Sequence, residues 1–340
     1  MQRRPTSFDI AALAGVSQPT VSRALTGSRS VSAETRARVL AAAEQLHYTV
    51  DKNASGLRKQ RSGTLALLFF EENSTEDAGI NPFYLSMLGH MVRKCAGHGY
   101  DLLISFQQLS ADWHVDFEDS RKADGIVLLG YGDYLEYTPK LEQLVDRGTH
   151  FVRWGSASEL NIGVTVGSDN EQGGYDAAEH LLDLGRSRIG FIGTATPAYP
   201  EFMERWSGYC RALRSHGIEP DPRLRVDAEP SEEAGRAAVA TLSRRSADYD
   251  ALFVSSDVAA IGAMHALQGL GRAIPEDVAL VGFDDLPAAT LASPPLSTVK
   301  QDSRRAGEAL IDALIGAIND GRSVSQSLPC KLVVRESSAG

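Results

Sequence analysis

Apolar residues recur at helical spacing near the start of the chain, in the stretch FDIAALAGVSQPTVSRAL from Phe8 to Leu25. Positions i, i+3 and i+4 of its first half are apolar and predict one face of an amphipathic helix: Ile10, Leu13 and Ala14. Gly15 supplies a turn at little steric cost, and Ser17 is a favourable N-cap for a second helix. The apolar positions of that second helix are Val21, Ala24 and Leu25. The pattern therefore predicts two short helices joined by a tight turn.

The outward side of the second helix carries short hydrogen-bonding side chains and one guanidinium, and no carboxylate. These residues are Ser17, Gln18, Thr20, Ser22 and Arg23. A helix that exposes such a row matches the donors and acceptors on base edges in the DNA major groove. An ordinary helical hairpin with a polar face is the alternative that these two helices alone leave open.

A third helix is predicted from Ala33 to about His47. Ser32 can cap it, and Glu34 lies in its first turn. Its apolar positions are Val39, Leu40, Ala43 and Leu46. Three short helices that share one small core predict an all-α helix-turn-helix domain over residues 1–50.

The next segment, residues 51–63, is polar and basic and is interpreted as a hinge between domains. Asn53 can cap a short helix in which Leu57 is the single large apolar side chain. Two interpretations stay open for this segment. It is either a solvated tether or a helix that orders on DNA and inserts Leu57 between base steps in the minor groove.

From Thr64 onward the hydrophobic period changes, and short apolar runs alternate with amphipathic helices. The predicted strands are 65–70, 101–106, 125–129, 150–154, 163–166, 189–192, 251–255, 278–283 and 331–335. The predicted helices are 83–96, 135–147, 172–184, 202–216, 232–245, 258–270 and 303–319. Such alternation predicts a body, residues 64–340, of two doubly wound parallel-sheet subdomains. The first comprises about 64–162 plus 296–322 and the second about 163–295 plus 323–340, with a ligand cleft between them.

Charge separates the two parts of the chain. Residues 1–62 hold ten Lys/Arg against four Asp/Glu, a net charge of +6, and the remainder holds 24 against 40, a net charge of −16. The basic segment 1–62, called the head from here on, is suited to the phosphate backbone of DNA, because each cation that neutralises a phosphate releases a counterion. This asymmetry favours double-stranded DNA as the partner of the head.

Other features exclude several functional classes. The chain has no apolar run of about 18 residues and no apolar signal region at its start, so neither a membrane span nor secretion is expected. Its three cysteines are scattered, so the expected location is the reducing cytoplasm and no metal is expected. A transport binding protein would have no use for the basic head. An enzyme is disfavoured because no Gly-rich phosphate loop or nucleophile elbow is present, and no cofactor is expected.

Several motifs in fixed order extend over nearly the whole chain. The head carries DIAALAGVSQPTVSRAL, VSAETRARVLAAAEQLHY and NASGLR. The body carries NPFY, EHLLDLGRSRIGFIG, SSDVAAIGAM, VALVGFDDLPAA and PPLSTV. Through these motifs the sequence resembles the lactose/galactose repressor (LacI/GalR) family of bacterial transcription regulators.

The resemblance implies a homodimeric repressor whose body is similar to periplasmic sugar-binding proteins. A small molecule in the cleft, expected to be a mono- or disaccharide, would shift the subdomains and change how the heads meet the operator. The residues expected to contact DNA are Thr6, Ser17, Gln18, Pro19, Thr20, Ser22, Arg23, Asn53, Ser55 and Leu57. The residues expected to contact the effector are Asn81, Phe83, Tyr131, Trp154, Arg205, Asp257 and Asp284.

The side chains of this effector set suit an oxygen-rich, uncharged ligand. Arg205 is a planar fork of donors, Asp284 accepts from hydroxyls, and Trp154 can stack on a sugar ring. Core packing is the alternative for the aromatic residues, and a hinge salt bridge is the alternative for Arg205 with Asp284.

Two positions depart from the family pattern. Pro19 cannot donate a hydrogen bond, so part of the base readout would pass to Gln18 or to DNA shape. Ser256 replaces the more familiar Asn before Asp257, which puts the ligand contact there in doubt. The sequence leaves the effector's identity, the operator, the sign of the response and the choice between dimer and tetramer open.

Overall fold

The computed structural model describes residues 5–25, 27–28, 30–48, 61–69, 80–106, 112–130, 133–157, 162–245, 247–322 and 324–339. The chain divides into two compact units, Met1–Ser62 and Gly63–Gly340. The expectations placed on Asn53, Ser55, Leu57 and Tyr131 lie outside the described residues. Within the described residues, no helix combines the length and the apolar character needed to cross a membrane.

The first unit contains three short helices: α1 (Ser7–Ala14), α2 (Gln18–Leu25) and α3 (Ala33–Gln45). The Asp9 carboxylate accepts hydrogen bonds from the N–H and the hydroxyl of Thr6, both at 2.7 Å, and this closes the start of α1. Gly15 ends α1 in the left-handed conformation, at φ +66°. The Ser32 hydroxyl accepts from the Thr35 N–H at 3.2 Å and caps α3.

The core of this unit differs from the predicted apolar faces at two positions. Leu13 and Leu40 are 48% and 50% exposed. The side chains that fill the core are Ile10, Ala11, Ala14, Val21, Ala24, Val39, Ala42 and Ala43. Seven of these eight residues are alanine or valine, so the helices approach closely and leave no room for the two leucines.

The second unit consists of two lobes, each built on a six-stranded sheet. The first-lobe sheet has the order β11-β5-β4-β3-β1-β2, and each of its strand pairs is parallel. Its strands are β1 (Thr64–Phe69), β2 (Asp101–Phe106), β3 (Ile126–Leu129), β4 (Phe151–Trp154), β5 (Val164–Ser168) and β11 (Gln326–Leu328). Its helices are α4 (Pro82–Gly97), α5 (Tyr134–Asp146) and α11 (Ser303–Asp320), with a π-helix at His114–Asp119.

The second-lobe sheet has the order β12-β10-β9-β8-β6-β7, and only its β10–β12 pair is antiparallel. Its strands are β6 (Ile189–Ile192), β7 (Arg225–Val226), β8 (Ala251–Val254), β9 (Ala279–Asp284), β10 (Ser297–Lys300) and β12 (Lys331–Val333). Its α-helices are α6 (Asn170–Asp183), α7 (Pro200–Ser215), α8 (Glu232–Arg244), α9 (Asp257–Gly269) and α10 (Pro287–Leu291), and a 3-10 turn lies at Pro222–Leu224. The predicted fold class, a helical head before two α/β lobes with parallel sheets, is therefore confirmed.

The chain passes between the lobes three times: after β5, after β10 and after β11. The predicted lobe boundaries were wrong for three strands. β5 and β11 pair in the first-lobe sheet, and β10 pairs in the second-lobe sheet. Hydrophobic periodicity reports that a segment is a strand, but it carries no information on which sheet that strand joins. The three crossings bring the carboxyl ends of both sheets to the same cleft.

Candidate functional site

The outward face of α2 presents the predicted polar row. Val21 and Ala24 face the core, whereas Ser17, Pro19 and Arg23 are exposed. The Gln18 amide donates to the Ser7 hydroxyl at 3.2 Å, which fixes its side chain against α1. Because α2 carries an arginine and no carboxylate, it combines hydrogen-bonding groups with a positive charge.

Three residues expected to contact DNA, Thr6, Ser17 and Thr20, form side-chain hydrogen bonds within the head. The Thr6 hydroxyl donates to Asp9, as described above, and the hydroxyls of Ser17 and Thr20 lie 2.9 Å apart. Ser22 is half-buried. The structure places these residues at the start of α1 and along α2.

Arg205 is 1% exposed and lies at the carboxyl ends of β8 and β9, where a ligand cleft is expected. Its Nε donates to Asn170 Oδ1 at 2.9 Å, and its Nη1 donates to the carbonyl of Ser255 at 2.6 Å. Its guanidinium carbon lies 3.8 Å from the centre of the Phe283 ring. Asn170 also donates to Glu204 Oε2 at 3.3 Å, and burial raises the pKa of the Glu204 carboxyl. These contacts fix the plane of the guanidinium.

Close helix packing sets the position of Arg205 on α7. A Cβ built at Gly208 would lie 1.9 Å from the carbonyl oxygen of Glu171 on α6. A Cβ at Gly174 would lie 2.2 Å from the carbonyl oxygen of Arg205. The backbones of α6 and α7 therefore meet at two glycines, and Arg205 lies at this crossing.

Asp284 ends β9 beside Arg205 and is 3% exposed. Its φ is +123°, a strained value for a residue other than glycine. Its Oδ1 accepts from Gln301 Nε2 at 2.6 Å, while its Oδ2 and Gln301 Oε1 are buried without a hydrogen-bond partner among the described residues. Burial raises the pKa of Asp284 to about 6, against the opposing effect of Arg205. Arg205 and Asp284 thus interact electrostatically, as both the effector-contact and the hinge-salt-bridge interpretations require.

Asp257 lies deeper than expected for an effector contact. It is fully buried, and both of its carboxylate oxygens accept hydrogen bonds, from Thr298 Oγ1 at 2.6 Å and from the Leu286 N–H at 2.8 Å. Burial, with the nearby Asp284, raises the pKa of Asp257. This geometry indicates that Asp257 holds β10 and the start of α10 in place. The expectation that Asp257 contacts the ligand directly is therefore not supported.

The aromatic residues form an apolar wall. Phe83 and Trp154 are almost fully buried, and their ring centroids lie 5.6 Å apart. Both belong to the first-lobe core, in a cluster that also contains Phe202 and Leu286 of the second lobe. The core-packing interpretation therefore holds for both rings, and they also lie where the two lobes meet.

Asn81 caps α4, because its Oδ1 accepts from the Phe83 N–H at 2.9 Å. Its Nδ2 is buried without a partner among the described residues. Two further residues with such unpaired atoms were missed as site residues by the sequence prediction: Gln301, described above, and Arg153 within β4. A charged residue inside the apolar strand FVRW was the signal that would have identified Arg153. Buried donors and acceptors without partners among the described residues thus occur on both lobes, as a polyhydroxyl ligand between them would require.

Two surface features of the second lobe lie away from the cleft. A groove of about 350 Å³ at the amino end of β6 is lined by charged groups that pair with each other, including Arg188 with Asp248. On α6 and after α7, possible metal ligands of Glu179, Asp183 and His216 lie within 4.8 Å of one another, and the last two residues are exposed. The His216 ring already contacts Glu179 at 3.1 Å. Neither feature adds a group to the cleft.

Comparison with known proteins identifies both units. Residues 8–51 match the model of bacterial regulatory proteins, lacI family, and residues 178–338 match a periplasmic binding protein-like domain. The HTH-type transcriptional regulator CelR of Thermobifida fusca is 33% identical over 348 aligned positions, which cover 99% of each chain.

Two solved structures extend the similarity to three dimensions. A transcriptional regulator CelR–cellobiose complex is 30% identical, with a TM-score of 0.74 over 98% of this chain and 100% of the other. The lac repressor dimer bound to operator and the anti-inducer ONPF has a TM-score of 0.84 at 23% identity, over 99% and 100% of the two chains. At this lower identity, the match to the lac repressor shows that the two chains share the same fold.

Proposed function

The chain belongs to the lacI family of bacterial regulatory proteins, and from that premise we propose that it is a repressor whose operator affinity is set by an uncharged sugar in the cleft. A DNA-binding regulator of this family needs a DNA-reading head and a ligand-binding body. The relatives found are regulators and not enzymes.

The observation that carries the sugar assignment is the set of buried polar atoms without partners in the cleft. Asp284 Oδ2 and Gln301 Oε1 are unused hydrogen-bond acceptors, and Asn81 Nδ2 is an unused donor, among the described residues. Burying such atoms without hydrogen bonds costs free energy, roughly 1–3 kcal/mol each. A ligand with several hydroxyl groups restores these bonds, since each hydroxyl both donates and accepts. The CelR–cellobiose complex is a related protein that holds a sugar.

A homodimer is proposed from the edge of the first-lobe sheet. β2 is the terminal strand, and three of its apolar side chains are at least 38% exposed: Leu103, Ile104 and Phe106. Leu85 and Val92 on the adjacent helix α4 are also exposed. An unpaired edge strand with exposed apolar side chains on both faces favours association with a second copy. Two copies would bring two heads to two half-sites of a pseudo-palindromic operator.

Two variants separate the proposed activities. Arg23→Gln removes the cation of α2 and should lower operator affinity, with a salt slope smaller by about 1 if Arg23 contacts a phosphate. Its sugar binding should be unchanged. Asp284→Asn should keep operator affinity but lose the response to sugar. Operator binding, followed by fluorescence anisotropy with and without sugar, measures both effects. If Asp284→Asn responds like the wild type, the cleft assignment is wrong.

A further inference from the structure

Arg153 is a buried cation whose hydrogen bonds are incomplete. It lies in β4, is 6% exposed, and its guanidinium carbon is 4.8 Å from the centre of the Tyr134 ring. Its Nε and Nη2 are buried and have no hydrogen-bond partner among the described residues. A buried charge without hydrogen bonds is unfavourable, and burial accordingly lowers the pKa of Arg153. The guanidinium therefore lacks an acceptor that a bound molecule can supply.

Glu201, at the start of α7, lies opposite Arg153. A Cβ built at Gly155 would meet Glu201 Oε1 at 2.7 Å and Arg153 Nη1 at 2.9 Å, so the two charged groups flank this glycine. They form no ion pair within 4 Å in the described part of the chain, and Glu201 Oε1 accepts from the Ser156 N–H at 3.2 Å. Between them lies a cavity of about 30 Å³, which Trp154 and Tyr134 also line.

The two charges define the chemistry of an occupant. A ligand carboxylate or phosphate that approached Arg153 would also face the Glu201 carboxylate, and like charges repel. A pair of neighbouring hydroxyls fits both groups, because one oxygen accepts from the guanidinium while the other hydroxyl donates to the carboxylate. Trp154 adds an apolar surface for C–H groups. An uncharged diol is therefore the favoured occupant.

The position of Glu201 relates this cavity to the proposed sugar site. Glu201 and Arg205 are four residues apart on α7, so they lie on the same helix face, about 6 Å apart along the axis. That distance is close to the advance of one sugar unit in an oligosaccharide. Arg153 belongs to the first lobe and Glu201 to the second, so an occupant would contact both lobes.

We propose that Arg153 and Glu201 form a second subsite, which binds a diol on the distal unit of a neutral disaccharide. This inference rests on the proposed function, because it assumes that a sugar occupies the cleft. In this arrangement Asp284 and Arg205 bind the first sugar unit of the disaccharide. Arg153 and Glu201 bind the second, distal unit. The ligand then holds the two lobes together through both units.

The test is isothermal calorimetry on the full-length protein and on Arg153→Met, with cellobiose, maltose and lactose as probes and glucose and galactose as one-unit controls. We expect the variant to bind the preferred disaccharide roughly 10- to 100-fold more weakly, as loss of a charge-assisted hydrogen bond implies. Its affinity for the matching single sugar should be unchanged. Without ligand, its melting temperature should be equal or higher, because an unpaired buried charge is removed.

Three results would overturn the inference. The first is a disaccharide affinity in Arg153→Met equal to that of the wild type. The second is a wild type that binds single sugars only, which leaves the proposed function intact. The third is an equal loss of both ligand classes together with a lower melting temperature, which indicates a structural role. If none of these sugars binds the wild type, the proposed function fails as well.

Two conservative variants provide the controls. Arg153→Lys keeps the positive charge and one donor group and should retain part of the disaccharide affinity. Glu201→Gln keeps the shape but replaces the carboxylate with an amide, and it should weaken disaccharide binding without affecting the single sugar. If Arg153→Met does not fold, a disaccharide affinity of Glu201→Gln equal to that of the wild type overturns the proposal.

Discussion

At the residue scale, Asp284 combines three unusual properties. It has a positive φ, it is almost fully buried, and one of its oxygens has no partner among the described residues. Its neighbour Asp285 has φ +55° and pairs with Arg335 at 2.6 Å and with Lys300 at 3.3 Å. Strained backbone that persists in a packed structure is typical of a ligand-binding position. The turn thus separates a paired carboxylate from one that remains available to a ligand.

The raised pKa of Asp284 predicts pH-dependent sugar binding. Burial moves it from 3.8 to about 6, and the charged and polar groups beside it are Arg205, Gln301 and Asp257. The ionised carboxylate accepts from sugar hydroxyls, so affinity should be full above about pH 7 and fall as the pH drops through about 6. Calorimetric titrations across this range measure the effect.

The same shift has a consequence for the protein without ligand. Because the folded pKa lies above the unfolded value, ionisation of Asp284 opposes folding, and this residue's contribution to stability should decrease as the pH rises from about 4 through 6. The Asp284→Asn variant is the control for both effects, since it has no titrating group at this position. A pH dependence of sugar affinity that is the same in this variant would contradict the assignment to Asp284.

At the element scale, the crossing of α6 and α7 positions Arg205. Gly208→Ala would place a methyl group 1.9 Å from the backbone oxygen of Glu171, and backbone moves less readily than a side chain. We expect a loss of about 1–3 kcal/mol or more in the free energy of unfolding, together with weaker sugar binding. Urea denaturation of both proteins measures the first effect.

Gly269→Ala is the matched control for this substitution. Gly269 is the last residue of α9, and a Cβ there has no neighbour within 4 Å. Alanine at this position should leave stability unchanged or raise it by up to about 1 kcal/mol. Equal stability changes in the two variants would show that the helix crossing is not close-packed.

The sequence predicted the long elements more completely than it predicted the site. Regular helices such as α11 carry a clear apolar period, and it was predicted to within one residue at its end. β10 was missed because its sequence, STVK, is largely polar, although Thr298 is buried and donates to Asp257 from a distant element. Arg153 and Gln301 were missed as site residues for a related reason. Their roles depend on neighbours that only the folded chain brings near them.

At the scale of the whole molecule, the fold separates DNA recognition from ligand recognition. The basic unit Met1–Ser62 holds the helix-turn-helix, and the unit Gly63–Gly340 holds two lobes around the cleft. A ligand that contacts both lobes stabilises one arrangement of them over others. In the proposed homodimer, that preference is the source of the change in operator affinity.

The dimer proposal predicts a clear effect of one edge-strand substitution. Ile104→Lys places a charge among the exposed apolar side chains of β2 and should shift the protein from dimer to monomer in sedimentation velocity. Because two heads are then no longer joined, operator affinity should fall as well. Leu184→Lys, at an exposed position after α6, is the control and should remain dimeric. A dimeric Ile104→Lys protein would place the interface elsewhere.

The central claim is that the cleft and the DNA-binding head are energetically coupled, and coupling is reciprocal. The most direct measurement is the affinity for the bound sugar with and without saturating operator DNA, compared with operator affinity with and without saturating sugar. We expect the two affinities to change by the same factor, of about 5 to 150. A sugar that binds in the cleft with the same affinity whether or not operator is present would contradict it.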